Sequence, residues 1–183
     1  MLVKNVIISA LTALERHDIC SCLKDGASLS VENAQTVETL MHCYNAVEDE
    51  LARLYFPLID EYETETDNGE VQYADFPNVP IKILAITANG KKVKFKLSVK
   101  HLKTCAKNVR VRYAYSPKKK TIEEQCEVLN TVGERLISYG VLAEYCLICG
   151  LLESAESWES KYREEIRALQ NFGGGKIPQR SWV

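Results

Sequence analysis

The 183-residue chain has no apolar run approaching the roughly 18 residues that a membrane span requires. Its apolar start, Val3 to Leu14, carries Lys4 and Asn5 and is not followed by a small-residue cleavage pattern, so neither a membrane span nor secretion is expected. Histidine is scarce. His17, His42 and His101 are the only three, and none stands in a metal-binding or nucleophile-activating motif. His42 precedes Cys43, but adjacent residues on a helix point apart, which argues against a Cys and His dyad. A Gly-rich phosphate loop is also missing, since Gly173-Gly174-Gly175 lies near the chain end with no helix after it to supply amide donors. Adjacent acids such as Asp49-Glu50 and Glu123-Glu124 read as solvated helix faces or helix N-termini. No catalytic residue, cofactor site or metal site is expected, and the chain is not read as an enzyme.

Seven cysteines are present: Cys20, Cys22, Cys43, Cys105, Cys126, Cys146 and Cys149. An odd number scattered over apolar or loop positions does not make a disulfide framework, and suits a reducing cytoplasm in which thiols act as small hydrophobes. Cys146 and Cys149 form a CxxC inside an apolar, helical stretch. Alone they are half a zinc site, and the CxC of Cys20 and Cys22 is not a usual chelating loop, so buried thiols are the expected role.

Acidic residues are absent between Phe76 and Ile122, a stretch holding thirteen of the 23 Lys and Arg. The flanks therefore carry ten basic residues against all 25 acids. A positive centre between negative ends suits either nucleic acid or pairing with the ends of a neighbouring copy.

Hydrophobic residues make up 46% and charged residues 26%, enough apolar surface for a folded chain, and the length suggests one core. Helical spacing predicts helices at about 3–15 and 31–56, the second behind Ser30 as N-cap and stopped by Pro57, with a polar loop from His17 to Ser28 between them. A β region over about 59–115 follows. Asp67-Asn68-Gly69 predicts one hairpin, between Ile59–Glu65 and Val71–Tyr73, and Asn89-Gly90 predicts a second, between 81–88 and 91–99. Strict alternation in Lys92 to Leu97 and Val109 to Tyr113 gives an apolar face and a basic face carrying Lys92, Lys94, Lys96, Arg110 and Arg112. That face meets either a neighbouring subunit or phosphates, although Phe95, Tyr113 and Tyr115 fall on the opposite side, unlike a stacking platform for single strands.

Thr121 and Glu124 have capping-box spacing, which predicts helices over about 121–152 and 155–170 with a break near Glu153. The expected fold class is α+β, a single domain over 1–171 with a mainly helical body of about four helices and a central antiparallel β-hairpin insertion. Residues 172–183 are expected to form an extended arm, because three glycines and Pro178 cannot continue a helix. Phe172, Lys176, Ile177, Pro178, Arg180 and Trp182 are its candidate partner-binding residues, since large apolar groups and Arg on such an arm suit an interface.

Two N-terminal helices, a β insertion, two C-terminal helices and an arm make up an order that resembles the head-to-tail adaptor, or connector, proteins of tailed bacteriophages. The closer similarity lies in Val111-Arg112-Tyr113-Ala114-Tyr115-Ser116-Pro117, a strand leaving through a proline. It continues in the helix from Gly140 to Tyr145, and in Gly150 to Glu156 leading to Trp158, Tyr162, Ile166 and Leu169. The resemblance covers about Val31 to Val183. It implies a ring of this chain, typically of twelve copies, in the virion neck below the portal, assembled in the host bacterial cytoplasm. By the same resemblance the ring would contact the portal protein and a tail or second neck protein, pass DNA non-specifically through its channel, bind no cofactor and meet no membrane. The basic β region departs from that pattern, because a channel that passes DNA smoothly should not hold phosphates. The basic face is therefore expected to lie away from the lumen. The alternative is a nucleic-acid-binding module using the basic β face.

Overall fold

The computed structural model of the chain describes residues 1–128 and 132–172, and combines α-helices with antiparallel sheets. In place of one core there are two compact units. One consists of Met1–Val47 with the described residues from Lys120 onward, and the other of Glu48–Lys119. The helical unit is thus drawn from both ends of the sequence, while the β unit is one contiguous segment.

In the helical unit α1 (Val3–Ala13) buries Val3, Val6, Ile7, Ala10 and Leu11 on one face. It stops where Arg16 N–H donates to Leu11 C=O (2.9 Å) and Glu15 N–H to Thr12 C=O (3.1 Å), a closure that turns Glu15 to φ 59°. The polar loop expected from His17 to Ser28 contains a helix instead, α2 (His17–Asp25), ended at Gly26. Its two and a half turns are too short for apolar periodicity to register, and only Ile19 and Cys20 are buried. Asp18 in the first turn and Lys24 in the last complement the helix dipole. α3 (Val31–Glu50) begins as expected, with Ser30 Oγ accepting from Asn33 N–H at 3.2 Å.

A second difference lies at Thr121. Glu124 does reach back, accepting from the Thr121 N–H at 2.6 Å and from its hydroxyl at 2.8 Å. No α-helix follows directly among the described residues, because the next backbone groups are taken by the N-terminal segment. Val3 N–H donates to Glu124 C=O, Lys4 N–H to Ile122 C=O and Cys126 N–H to Met1 C=O. Asn45 of α3 fixes Lys120 through both backbone groups, at 2.6 and 3.2 Å. The next α-helix among the described residues is α4 (Glu134–Ile148). The expected break is present. Gly150 at φ 75° lets Leu151 N–H reach Cys146 C=O (2.8 Å) and its own N–H reach Leu147 C=O (3.1 Å), after which α5 (Leu152–Phe172) starts. Ala155, Tyr162 and Ile166 are buried along α5, with Trp158 and Leu169 half-buried on the same stripe. Gly140 lets α4 approach closely, since a Cβ there would stand 2.8 Å from Val47 Cγ1 and 2.9 Å from Tyr162 Cε2.

In the β unit the chain from Leu51 to Tyr55 winds into a wider helical turn, closing with Phe56 N–H on Leu51 C=O five residues back, and Pro57 then releases it into strands. A four-stranded sheet runs β1 (Leu58–Glu65), β7 (Asn108–Tyr115), β3 (Pro80–Ala88), β4 (Lys91–Lys92). A three-stranded sheet runs β2 (Glu70–Gln72), β6 (His101–Thr104), β5 (Phe95–Leu97). Their apolar sides share one core of Val71, Phe76, Ile86, Leu102, Val111 and Tyr113.

Both expected turns form, with positive φ at Asn68, Gly69, Asn89 and Gly90. The first does not pair two long strands. Only Asp67 and Glu70 bridge across it, and β1 pairs with β7 while β2 pairs with β6. The second hairpin pairs Thr87 with Lys92 and Ala88 with Lys91 and ends with Val93 N–H donating to Ile86 C=O (2.9 Å), after which the chain crosses to the other sheet as β5. A turn signal fixes the reversal but not which neighbour each arm prefers, and β7 offers Tyr62 the longer apolar partner row.

Candidate functional site

β7 alternates as its sequence implies. Val109, Val111 and Tyr113 are buried, and Arg110 and Arg112 are exposed. Tyr113 packs edge-on against Phe76 with ring centroids 4.8 Å apart, and its hydroxyl donates to Asp60 Oδ2 at 3.2 Å. Burial, with the Asp60 charge second, pushes that phenol up to about 12.

The single basic face expected from the sequence is not one surface. Lys92 lies in β4, Lys94 in the link that follows and Lys96 in β5 of the other sheet, all three exposed. Arg110 and Arg112 lie opposite Glu63 and Glu61 of β1. Arg110 Nε donates to Glu63 Oε1 at 2.6 Å, and a guanidinium nitrogen lies 3.8 Å from Glu61 Oε2. The acids of β1 thus intrude on the face that the sequence left purely basic. Ion pairs of this exposure contribute little stability, on the order of 0–1 kcal/mol, but they set register and local potential.

Folding therefore reduces the charge separation. The β unit contains thirteen basic and ten acidic residues, a net of +3. What survives is a gradient. In the four-stranded sheet one edge strand, β1, carries Asp60, Glu61, Glu63 and Glu65, and the other, β4, carries Lys91 and Lys92. In the three-stranded sheet edge strand β2 carries Glu70 and edge strand β5 carries Lys96. Glu70 accepts from Lys103 Nζ at 2.6 Å, and that bond, with the charges of His101 and Lys103, holds its carboxyl below the usual range. A cleft of about 290 Å³ on the acidic side is lined by Glu65, Asp67, Glu70 and Asp75.

The helical unit presents two surfaces that sequence reading missed. At the turn between α4 and α5, Leu147, Ile148, Leu151 and Leu152 are 55%, 62%, 52% and 61% exposed. The apolar run Leu147-Ile148 and Leu151-Leu152 is visible in the sequence, but its exposure depends on the Gly150 stop, which takes it out of the buried helix face. Along the two helices Tyr139 and Trp158 lie 5.5 Å apart, with Lys161 Nζ 4.0 Å over the indole and Arg135 Nε donating to the Tyr139 hydroxyl.

All seven cysteines are free thiols. Cys20, Cys43, Cys126 and Cys146 are buried as expected, whereas Cys105 and Cys149 are exposed. Burial, reinforced by Glu144, pushes Cys43 up to about 11, and burial also raises Cys146, which disfavours the thiolate that redox or metal chemistry needs. Among the described residues no group of three or more His, Cys, Asp or Glu is placed to hold a metal ion, and no helix is long and apolar enough to cross a membrane. Of the proposed arm, Phe172 is the last residue of α5 rather than the start of an extended segment. Lys176, Ile177, Pro178, Arg180 and Trp182 lie outside the described residues. No protein-family model and no curated protein matches the chain.

Proposed function

We propose that this chain is a structural virion protein, a head-to-tail adaptor that forms a ring below the portal of a tailed bacteriophage and passes DNA through its channel. The observation that carries the reading is the cluster of exposed leucine and isoleucine side chains at the α4–α5 turn. An apolar patch of this kind on a folded unit is the usual mark of a protein–protein contact. The resemblance supplies the rest: a helical body of α1 to α5 interrupted by a β insertion, a C-terminal arm directed at the portal or a neighbour, and location in the virion neck. A tail or second neck protein takes the opposite side of the ring.

Two measurements test it. The gene should lie among those for portal, major capsid and tail proteins. In binding assays with that portal, the full chain should dock, while deletion of residues 172–183 should leave a folded subunit that no longer joins its partner. Neighbouring genes of unrelated metabolism would sink the adaptor reading, and a truncated chain that docks normally would remove the arm from it.

The second reading, a nucleic-acid-binding module, rests on Lys92, Lys94 and Lys96, which are exposed and make no ion pair among the described residues. Against it, Phe76 and Tyr113 are buried in the core of the β unit with Tyr62, Tyr73, Phe95 and Tyr115 packed against them, and Arg110 is already engaged by Glu63. Steeply salt-dependent DNA binding that disappears on Lys92, Lys94 and Lys96→Glu replacement would favour it over the adaptor.

A further inference from the structure

Both sheets of the β unit run from an acidic edge strand to a basic one, and the chain path puts like edges together. β1 passes to β2 through the short Thr66–Gly69 turn, so the two acidic edges adjoin. β4 passes to β5 through Val93 and Lys94 alone, so the two basic edges adjoin. The unit therefore has an acidic side, with Glu61, Glu65, Asp67 and Asp75, and a basic side, with Lys91, Lys92, Lys94 and Lys96. None of these four lysines makes an ion pair among the described residues. Lys96 stands opposite Lys103 across the β5–β6 ladder, and since Glu70 already engages Lys103, it is Lys96 on the edge strand that has no acid beside it.

We infer that the occupant of each side is the opposite side of a second copy of this chain. The lysine row of one subunit's β4–β5 edge seats on the acidic β1–β2 edge of the next, at the cleft lined by Glu65, Asp67 and Asp75. The contact is heterologous, one patch against a different patch, and repetition of such a contact closes a ring when the rotation allows. It rests on the ring reading proposed above and says where its subunits join. Charge complementarity of this kind fixes partner and register more than affinity, so the contact weakens as salt rises.

The test uses two charge-reversed full-length chains, one with Glu61→Lys and Glu65→Lys, the other with Lys92→Glu and Lys94→Glu, examined by sedimentation at low ionic strength. Wild type is expected to form oligomers that dissociate with added salt. Each variant alone, with two charges of each sign on its altered side and so no net charge there to meet the intact one, is expected to remain monomeric. An equimolar mixture is expected to regain oligomers in which the two variants alternate, which also shows that both are folded. Variants that assemble alone as wild type does would overturn the edge contact while leaving the ring in place. A mixture that stays monomeric beside an oligomeric wild type would overturn it as well. Wild type that remains monomeric at every concentration and salt would overturn the contact and the ring together.

Discussion

The helical unit and the β unit of this chain reach order by different means. The helical unit relies on close approach of apolar helix faces, at its tightest around Gly140, where Val47 and Tyr162 leave no space for a methyl group. The β unit relies on two positive-φ turns, a central strand β7 paired on both sides, and a small core of Phe76, Tyr113 and their neighbours. Surface chemistry divides likewise. The helical unit gathers four exposed apolar side chains at the α4–α5 turn, whereas the β unit sorts charge by edge and spreads its exposed apolar residues, among them Leu54, Val79, Leu97 and Val99, along the chain. A contact through the first should persist in salt, and one through the second should not.

The sharpest way to break the β unit alone is Tyr113→Ala. The ring is fully buried between Phe76 and Tyr115, and removing it should cost about 3–5 kcal/mol, read as a fall in the urea midpoint of the strand signal. In the helical unit Gly140→Ala should cost about 1–3 kcal/mol by overpacking, although the same change at an open helix position would gain about 1 kcal/mol. A stabilising outcome in denaturant titration would mean that α4 and α5 have room to separate. Glu15→Gly should raise stability by about 0.5–1 kcal/mol. It relieves the left-handed strain of a side-chain-bearing residue at φ 59°, less the entropy glycine adds to the unfolded chain.

The smallest effect is a pH response at the α2 end of the helical unit. Arg16 donates two hydrogen bonds to Asp18 at 3.1 Å each, and Asn33 adds another, which together hold the Asp18 carboxyl down at about 2. A depressed carboxylate contributes stability that is present above its ordinary value of 3.8 and lost as pH falls through about 2. Unfolding curves of wild type and Asp18→Asn should differ at pH 5 and converge toward pH 2. A difference unchanged between those limits would show that the charge of Asp18 plays no part.

Much of this architecture was legible because its signals are local. Ser30 before a 3.6-residue apolar rhythm gave α3, Asn89-Gly90 gave a tight reversal, and the Val-Arg-Val-Arg alternation gave β7 with the correct buried side. What was hidden depends on partners distant in sequence. Thr121 and Glu124 carry a helix-start signature, yet Met1 to Lys4 claims the backbone that a helix would use. The purely basic face was an artefact of reading charge along the chain, because the sheet interleaves β7 with the acids of β1 some fifty positions earlier. The edge-to-edge gradient exists only once strand order is known.

One feature of the helical unit bears on how the protein is made. Because Met1 to Lys4 pairs with residues 122 to 126, and α1 packs with α4, the N-terminal helices have no complete partner until the C-terminal third has left the ribosome. The β unit, contiguous over Glu48–Lys119, has all its strands available earlier. Nascent chains arrested after residue 119, with a spacer to clear the exit tunnel, should therefore show protease-resistant strands beside N-terminal helices that are still cleavable. During synthesis the insertion matures before the body that surrounds it in sequence.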